Sequence, residues 1–106
     1  MWNEIVETKE LLDLSLEECK SRGAEMVDAK ARYYTAKAQA AYRLKQQGHP
    51  SSFIAMVLKG EPEVCEAMKR HEMALVRYEN AKEARLVYKK WLDLLNDQYK
   101  REWGSL

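Results

Sequence analysis

The chain has 106 residues, which is enough for one folded domain but not for a second core. Apolar residues make up 46% and charged residues 33%, which excludes a disordered chain, and 4 Gly with 2 Pro are too few for a fold of many strands and loops. The net charge of +1 gives no general attraction to nucleic acid or to an anionic membrane.

The first predicted element is a long helix over residues 3–47. Asn3 fits its N-cap position, and Glu4 complements the positive end of the helix dipole. Apolar or small residues recur at steps of three or four positions, with one step of seven after Ile5: Trp2, Ile5, Leu12, Leu16, Cys19, Gly23, Met26, Ala29, Tyr33, Ala36, Ala40 and Leu44. That spacing predicts a coiled-coil seam, which is the stripe of side chains through which one helix contacts another.

Residues that interrupt helices are concentrated after this first helix. Gly48-His49-Pro50 and Gly60-Glu61-Pro62 share one pattern, in which a Gly suited to a left-handed helix end precedes a Pro that cannot continue the helix. The two patterns therefore predict a turn with a short element between them.

That short element is predicted to be a helix over residues 51–59, capped by Ser51 or Ser52. Its apolar run, residues 53–58, is far shorter than the roughly 20 residues of a membrane span. The first residues of the chain also lack the basic and apolar regions of a signal peptide. We therefore expect a cytoplasmic protein with no membrane partner.

The third predicted element is a long helix over residues 62–103. Its apolar positions follow a looser version of the same spacing: Val64, Met68, Leu75, Tyr78, Ala81, Tyr88, Trp91, Leu95, Tyr99 and Trp103. Two long helices of similar length joined by a short connection lie antiparallel. The sequence therefore predicts an all-α fold in which residues 1–106 form a single domain, a long antiparallel, coiled-coil-like helical hairpin with a short helix at the turn.

Folding the chain at the turn also predicts which residues lie opposite one another. Tyr33 is expected opposite Tyr78, and Leu12 opposite Tyr99. The aromatic side chains Trp91, Tyr99 and Trp103 are expected to fill a wider gap between the helices at the open end.

The third helix and the turn carry more apolar side chains than one neighbouring helix can cover. Between Leu86 and Leu95 they surround more than half of the helix. The predicted protein interface consists of Phe53, Ile54, Met56, Val57 and Leu58 in the short helix with Val87, Trp91 and Leu94 in the third helix. We expect a homo-oligomer, most simply a dimer that forms a four-helix bundle, with a further protein partner.

Catalytic and metal sites are not indicated. The sequence has no nucleophile elbow, phosphate-binding loop, zinc-protease or Cys-x-x-Cys motif, so we predict a non-enzymatic protein without a cofactor. Cys65 and His71 lie six residues apart, which does not place two metal ligands on one helix face. Cys19 and Cys65 are expected to remain reduced thiols.

Nucleic-acid binding is the alternative function. The segment between Ala29 and Gln47 is basic, without acids, and interleaved with tyrosines, so one half of the hairpin could follow a phosphate backbone. The candidate residues are Lys30, Arg32, Lys37, Arg43, Lys45 and Arg77. Against this interpretation, Lys30 and Lys37 lie on one side of the helix while Arg32 and Arg43 lie nearly opposite, so the charges form no single stripe.

One stretch resembles a known group of proteins. It consists of Ala38-Gln39-Ala40-Ala41-Tyr42-Arg43-Leu44, Gly48-His49-Pro50, Ile54, Val57, Lys59-Gly60-Glu61 and Val64. It is similar to small helical proteins encoded by phages and prophages of Gram-positive bacteria, in which a Gly-aromatic-Pro turn links a long helix to a short one; His49 takes the aromatic position here. The resemblance implies a phage accessory protein in the bacterial cytoplasm that binds a host or phage protein. It transfers no catalytic residue.

Overall fold

The computed structural model describes residues 1–104. In chain order it contains α1 (Trp2–Gln46), α2 (Ser51–Val57), a single 3-10 turn (Leu58–Gly60) and α3 (Pro62–Trp103). All regular structure within these residues is helical, so the predicted all-α class is confirmed. The predicted helix bounds 3–47, 51–59 and 62–103 agree with the structure to within two residues. A search of the described helices found none with the length and apolarity required to cross a membrane.

The end of α1 follows the predicted Gly pattern. Gly48 adopts a left-handed backbone conformation with φ of 87°. The N–H of Gly48 donates to the carbonyl of Lys45 at 3.0 Å, and the N–H of His49 donates to the carbonyl of Leu44 at 3.3 Å. These bonds satisfy carbonyls that the end of a helix leaves without partners, and Gly48 permits them because it has no Cβ.

The second Gly pattern differs from the prediction. Among the described glycines only Gly48 has a positive φ, so Gly60 is not left-handed. The chain instead tightens into the 3-10 turn, where the N–H of Glu61 donates to the carbonyl of Leu58 at 3.2 Å. Pro50 is the N-cap of α2 and no side chain caps this helix, so the predicted caps Ser51 and Ser52 were wrong.

The described chain packs as two compact units. The turn unit, Gly23–Val76, contains the second half of α1, the turn and the first part of α3. Its buried apolar side chains are Ala40, Leu44, Val64 and Ala74. Tyr33 of α1 stacks on His71 of α3, with ring centroids 6.2 Å apart and planes inclined by 13°. The turn unit is therefore an antiparallel helical hairpin with a thin core rich in alanine.

Residue pairing in the turn unit differs from the prediction by one heptad. Tyr33 lies against His71 and not opposite Tyr78, seven residues later. The same pairing is present at the turn, where the Arg43 guanidinium binds the carboxylates of Glu61 and Glu63. These contacts place the start of α3 beside the last turns of α1, whereas the prediction placed it beyond the end of α1.

The end unit consists of Met1–Arg22 and Arg77–Leu106. Tyr99, predicted opposite Leu12, packs on Trp2 with ring centroids 5.7 Å apart, and Trp103 lies 6.1 Å beyond Tyr99. Trp91 and Trp103 are both more than half exposed. The prediction that these two tryptophans fill a gap between the helices was therefore wrong.

The core of the end unit includes polar side chains that the sequence pattern missed. Thr8 and Ser15 are buried together with Ile5 and Ala81. The Ser15 hydroxyl donates to the carbonyl of Leu12 at 2.7 Å, so its burial leaves no hydroxyl donor without a partner. The α1 seam in this unit therefore passes through Thr8 and Ser15, and Leu16, which was predicted to belong to it, is exposed.

Candidate interaction surface on α3

Among the described residues the buried apolar side chains are few: Ile5, Ala40, Leu44, Val64, Ala74 and Ala81. Three of these are alanines, so the helices cover little apolar area on their own.

One exposed apolar stripe follows α3 in the end unit. Val87, Trp91 and Leu94 are exposed to 62%, 56% and 54% and lie at positions i, i+4 and i+7 of the helix. The seam residue Leu92 follows Trp91 directly and is half-buried. One residue turns an α-helix by about 100°, so a stripe displaced by one position from the seam points away from α1. The structure thus brings together three residues that the sequence predicted as interface.

The stripe bounds a shallow hollow. Val87, Lys90, Trp91 and Leu94 line a space of about 230 Å³, and all four belong to α3. We call these four residues the α3 patch. Their spacing of i, i+3, i+4 and i+7 is that of the four residues which receive one side chain of a facing helix in knobs-into-holes packing.

A second groove in the end unit adjoins the α3 patch. It has a volume of about 380 Å³ and lies between α1 and α3, lined by Leu11, Leu14, Ser15, Glu18, Ala81, Ala84 and Tyr88. Ala84 and Tyr88 each lie three residues before a member of the α3 patch, so they are its neighbours on the helix surface. The exposed apolar surface therefore continues from α3 towards Leu11 and Leu14 of α1.

A stripe of charged side chains follows α3 in the end unit on the side opposite Trp91. Lys82, Lys89, Asp93 and Lys100 follow each other at steps of seven, four and seven, which places them on one stripe. This stripe lies roughly half a turn from Trp91, at 100° per residue. Leu86, which is 53% exposed, lies between Lys82 and Lys89, so this side also carries one exposed apolar side chain.

The predicted interface residues of the turn lie in the turn unit, whereas the α3 patch lies in the end unit. Met56 is the most exposed of them at 81%, and Phe53 is exposed to 39% with its ring 4.6 Å from that of His49. Ile54, Val57 and Leu58 are half-buried. The tip surface, formed by Phe53 and Met56, is a separate candidate from the α3 patch.

The candidate nucleic-acid residues are not arranged as one site. Arg32 forms an ion pair with Asp28 at 3.0 Å, and Arg43 is bound by two carboxylates at the turn. The ammonium group of Lys37 lies 5.3 Å from the ring centroid of Tyr33. Arg77 belongs to the end unit and the other five residues to the turn unit.

Lys30 and Lys45 are the members of that set in the turn unit that form neither an ion pair nor a cation–π contact among the described residues. The rings of Tyr34 and Tyr42 are exposed on the same helix. These four side chains are available to solvent, and they are the part of the nucleic-acid hypothesis that the structure leaves open.

A third groove lies in the turn unit. Its volume is about 330 Å³, and Ala29 and Ala67 form its apolar part. Charged side chains flank it, including the ion pairs Arg32–Asp28 and Arg70–Glu66.

The Cys65 thiol donates a hydrogen bond to the carbonyl of Lys59 at 2.8 Å. Within residues 1–104 no three His, Cys, Asp or Glu side chains are grouped so that they could hold a metal ion.

No protein-family model, curated protein or solved structure matches the chain. The similarity of residues 38–64 to small phage and prophage proteins therefore stays a prediction.

Proposed function

We propose that this protein is a non-enzymatic protein-protein interaction module that self-associates through the apolar surface of its helices. The supporting observation is the stripe of Val87, Trp91 and Leu94, each of which is more than half exposed on one side of α3. An apolar stripe of this kind on a soluble helix is typical of a surface that another protein covers.

The proposed assembly is a dimer with two-fold symmetry in which two copies form a four-helix bundle. In such a bundle each helix packs against more than one neighbour, and apolar side chains become buried that a single hairpin leaves exposed. The proposed interface comprises the α3 patch, with Val87, Trp91 and Leu94 supplying apolar contacts.

The test of self-association is the solution mass, measured by light scattering over a range of concentrations in low and high salt. We expect twice the 12.4 kDa of the single chain, unchanged by salt, because apolar association persists or strengthens as salt rises. A monomeric mass at every concentration would contradict the proposal. A dimer that dissociates as salt rises would mean that charge pairs dominate the interface.

The tip surface is proposed to bind a further protein, which the resemblance to phage proteins implies comes from a phage or its host. Met56→Asp places a charge on its most exposed side chain. The control is Lys59→Asp, which adds an acid three residues further along the turn at an exposed position that carries no apolar side chain. We expect Met56→Asp to reduce partner capture from a host lysate at least tenfold, as loss of a central apolar contact does. Unchanged capture by Met56→Asp would show that the tip is not the interface, and equal loss in both variants would show that the added charge, and not the loss of the Met56 side chain, weakens binding.

Nucleic-acid binding is the second candidate, and the exposed rings of Tyr34 and Tyr42 beside Lys30 and Lys45 favour it. Phosphate contacts weaken steeply as salt rises, unlike apolar contacts. Binding of single-stranded DNA and RNA to the unmodified chain is compared with that of the variant carrying Lys30→Glu and Lys37→Glu. If retention at low salt is the same for both proteins, this candidate is rejected.

A further inference from the structure

We propose that a second copy of this chain docks on the α3 patch with its own α3 antiparallel, and that the two-fold axis passes beside Val87. The inference rests on the proposed self-association. It adds the surface, the orientation of the helices and the residues that meet.

The form of the patch indicates that its occupant is a helix. The hollow of about 230 Å³ is bounded by residues of one helix only, at positions i, i+3, i+4 and i+7. Sites for small molecules are larger, about 300–1,000 Å³, and are enclosed by several elements. A side chain of a facing helix fits a hollow of this spacing, as in knobs-into-holes packing.

The residues on the two sides of Val87 are complementary in charge and in size, so two antiparallel copies of this segment can pair with each other. Glu83 and Lys90 lie four residues before and three residues after Val87. Ala84 and Trp91 lie three residues before and four residues after it. In an antiparallel pair centred on Val87, each residue before the centre lies opposite one after it. Lys90 of one copy then lies on the same edge of the pair as Glu83 of the other, within about 1.5 Å of its level along the helix axis, and Trp91 lies in the same way beside Ala84.

A large and a small side chain meet on each side of the proposed centre. Ala84 and Trp91 are both exposed in the single chain and share one edge of the stripe. A large indole ring facing a small methyl group fills the space between two helices without overlap, whereas two opposed indole rings would hold the helices apart. In the antiparallel pair each copy therefore contributes one large side chain, Trp91, and one small side chain, Ala84, that leaves space for the Trp91 ring of the other copy.

The charges of Glu83 and Lys90 favour an antiparallel over a parallel orientation of the two α3 helices. Among the described residues neither Glu83 nor Lys90 forms an ion pair, although the neighbouring Lys82 pairs with Glu79 at 3.6 Å. Antiparallel pairing gives two equivalent Glu83–Lys90 pairs on the other edge of the stripe. Parallel pairing instead opposes Glu83 to Glu83 and Lys90 to Lys90, which like charges disfavour.

The first test exchanges these charges. Glu83→Lys alone and Lys90→Glu alone each convert two attractive pairs into two repulsive ones, and we expect the dimer Kd to rise roughly tenfold. The double variant carrying both changes restores opposite charges across the axis and is expected to return the Kd to within about threefold of the unmodified protein. Residues seven apart on one helix are separated by about 10 Å, so direct coupling within a chain is small.

The measurement is sedimentation equilibrium at low salt, with circular dichroism of each variant to establish that the helices are retained. Rescue by the double variant supports the antiparallel pairing. If the double variant still dimerises but its Kd is raised by the sum of the two single effects, this inference is overturned and self-association is left intact. An unmodified chain that is monomeric at every concentration overturns both.

The second test uses a disulfide and does not depend on charge. Val87→Cys, in a chain with Cys19→Ser and Cys65→Ser, places two thiols beside the two-fold axis, where oxidation is expected to link two copies. The control is Lys89→Cys in the same background, on the polar stripe of the same helix. A disulfide requires Cα atoms within about 7 Å, so linkage of the Val87→Cys protein alone supports the proposed centre. Equal linkage of the two variants, or none in Val87→Cys, overturns it.

Discussion

Arg43 in the last turn of α1 donates a hydrogen bond to the carboxylate of Glu63 in the first turn of α3. Its second nitrogen donates to Glu61 at 2.8 Å, so one guanidinium holds two acids from the other side of the turn. A planar guanidinium fits carboxylates better than an ammonium does. Arg43 also lies near the negative end of the α1 dipole, and Glu63 near the positive end of the α3 dipole.

We predict that Arg43→Ala destabilises the turn unit more than the loss of an ordinary surface ion pair. The matched control is Arg32→Ala, which breaks an i,i+4 pair with Asp28 on the surface of α1 and is expected to cost about 0.3–0.5 kcal/mol. Urea unfolding followed by circular dichroism measures both. If Arg43→Ala lowers the unfolding midpoint no more than Arg32→Ala does, the contacts to Glu61 and Glu63 do not hold the turn.

The same contacts predict a dependence of stability on pH. A hydrogen bond from its own backbone N–H, and then one from Arg43, hold the pKa of Glu63 below its usual value of 4.5. Ionised Glu63 therefore stabilises the folded chain above the pKa of the unfolded state, and this contribution is lost as pH falls through the lower folded pKa.

The measurement is the side-chain carbon shift of Glu63 by NMR during an acid titration, in the unmodified chain and in Arg43→Ala. We expect the midpoint to lie below 4.5 in the unmodified chain and to rise in the variant. Stability curves should agree, because Glu63→Gln is expected to lower stability at neutral pH and to have little effect once the carboxylate is protonated. A Glu63 titration at the same pH in both proteins would contradict this account.

The sequence predicted the helix bounds because the residues that set them act locally. Gly48 and Pro62 interrupt the backbone wherever they occur, and the bounds at both positions were correct to within two residues. The pairing of the two helices was wrong by one heptad in the turn unit, since a shift of seven residues brings the same helix face to the partner. The contacts of Arg43 with Glu61 and Glu63 distinguish the two alternatives, as does the Tyr33–His71 stack, and none of these polar or aromatic contacts is specified by the apolar period.

Part of the candidate surface was also visible in the sequence. Val87, Trp91 and Leu94 were predicted to exceed what one neighbouring helix can bury, and they are exposed on one stripe. Trp91 was also assigned to the seam between the helices, and there the prediction failed. Its spacing from Leu95 fits either stripe, and the choice depends on Tyr88 and Leu92, which occupy the seam. Thr8 and Ser15 were missed because a hydrophobic pattern does not register buried hydroxyl groups.

The burial of Ser15 in the end unit leads to a prediction about the size of side chain that this position accepts. Ser15 and Ala81 are both buried and line the same groove, and the Ser15 hydroxyl bonds within its own helix. Ser15→Ala is therefore expected to change the free energy of unfolding by no more than about 0.5 kcal/mol. Ser15→Leu adds volume where the helices meet and is expected to cost about 1–3 kcal/mol.

The control for this series is Ser21→Leu, which makes the same replacement at an exposed position of α1 in the end unit. It is expected to alter stability little, because a leucine there overlaps nothing. Urea unfolding of the three variants measures the differences. A Ser15→Leu protein as stable as Ser21→Leu would show that the helices do not approach closely at Ser15.

The contrast between Trp91 and Val64 separates an interface side chain from a core side chain. Val64 is fully buried in the turn unit, whereas more than half of Trp91 is exposed. Val64→Ala is expected to lower the free energy of unfolding by about 2 kcal/mol at every protein concentration, because it leaves a cavity. Trp91→Ala is expected to lower the melting temperature mainly at high concentration, where the unmodified chain is stabilised by association. Thermal unfolding over a wide range of dilution measures both effects. Should Trp91→Ala cost as much as Val64→Ala at the greatest dilution, Trp91 stabilises the single chain and the α3 patch is not a free surface.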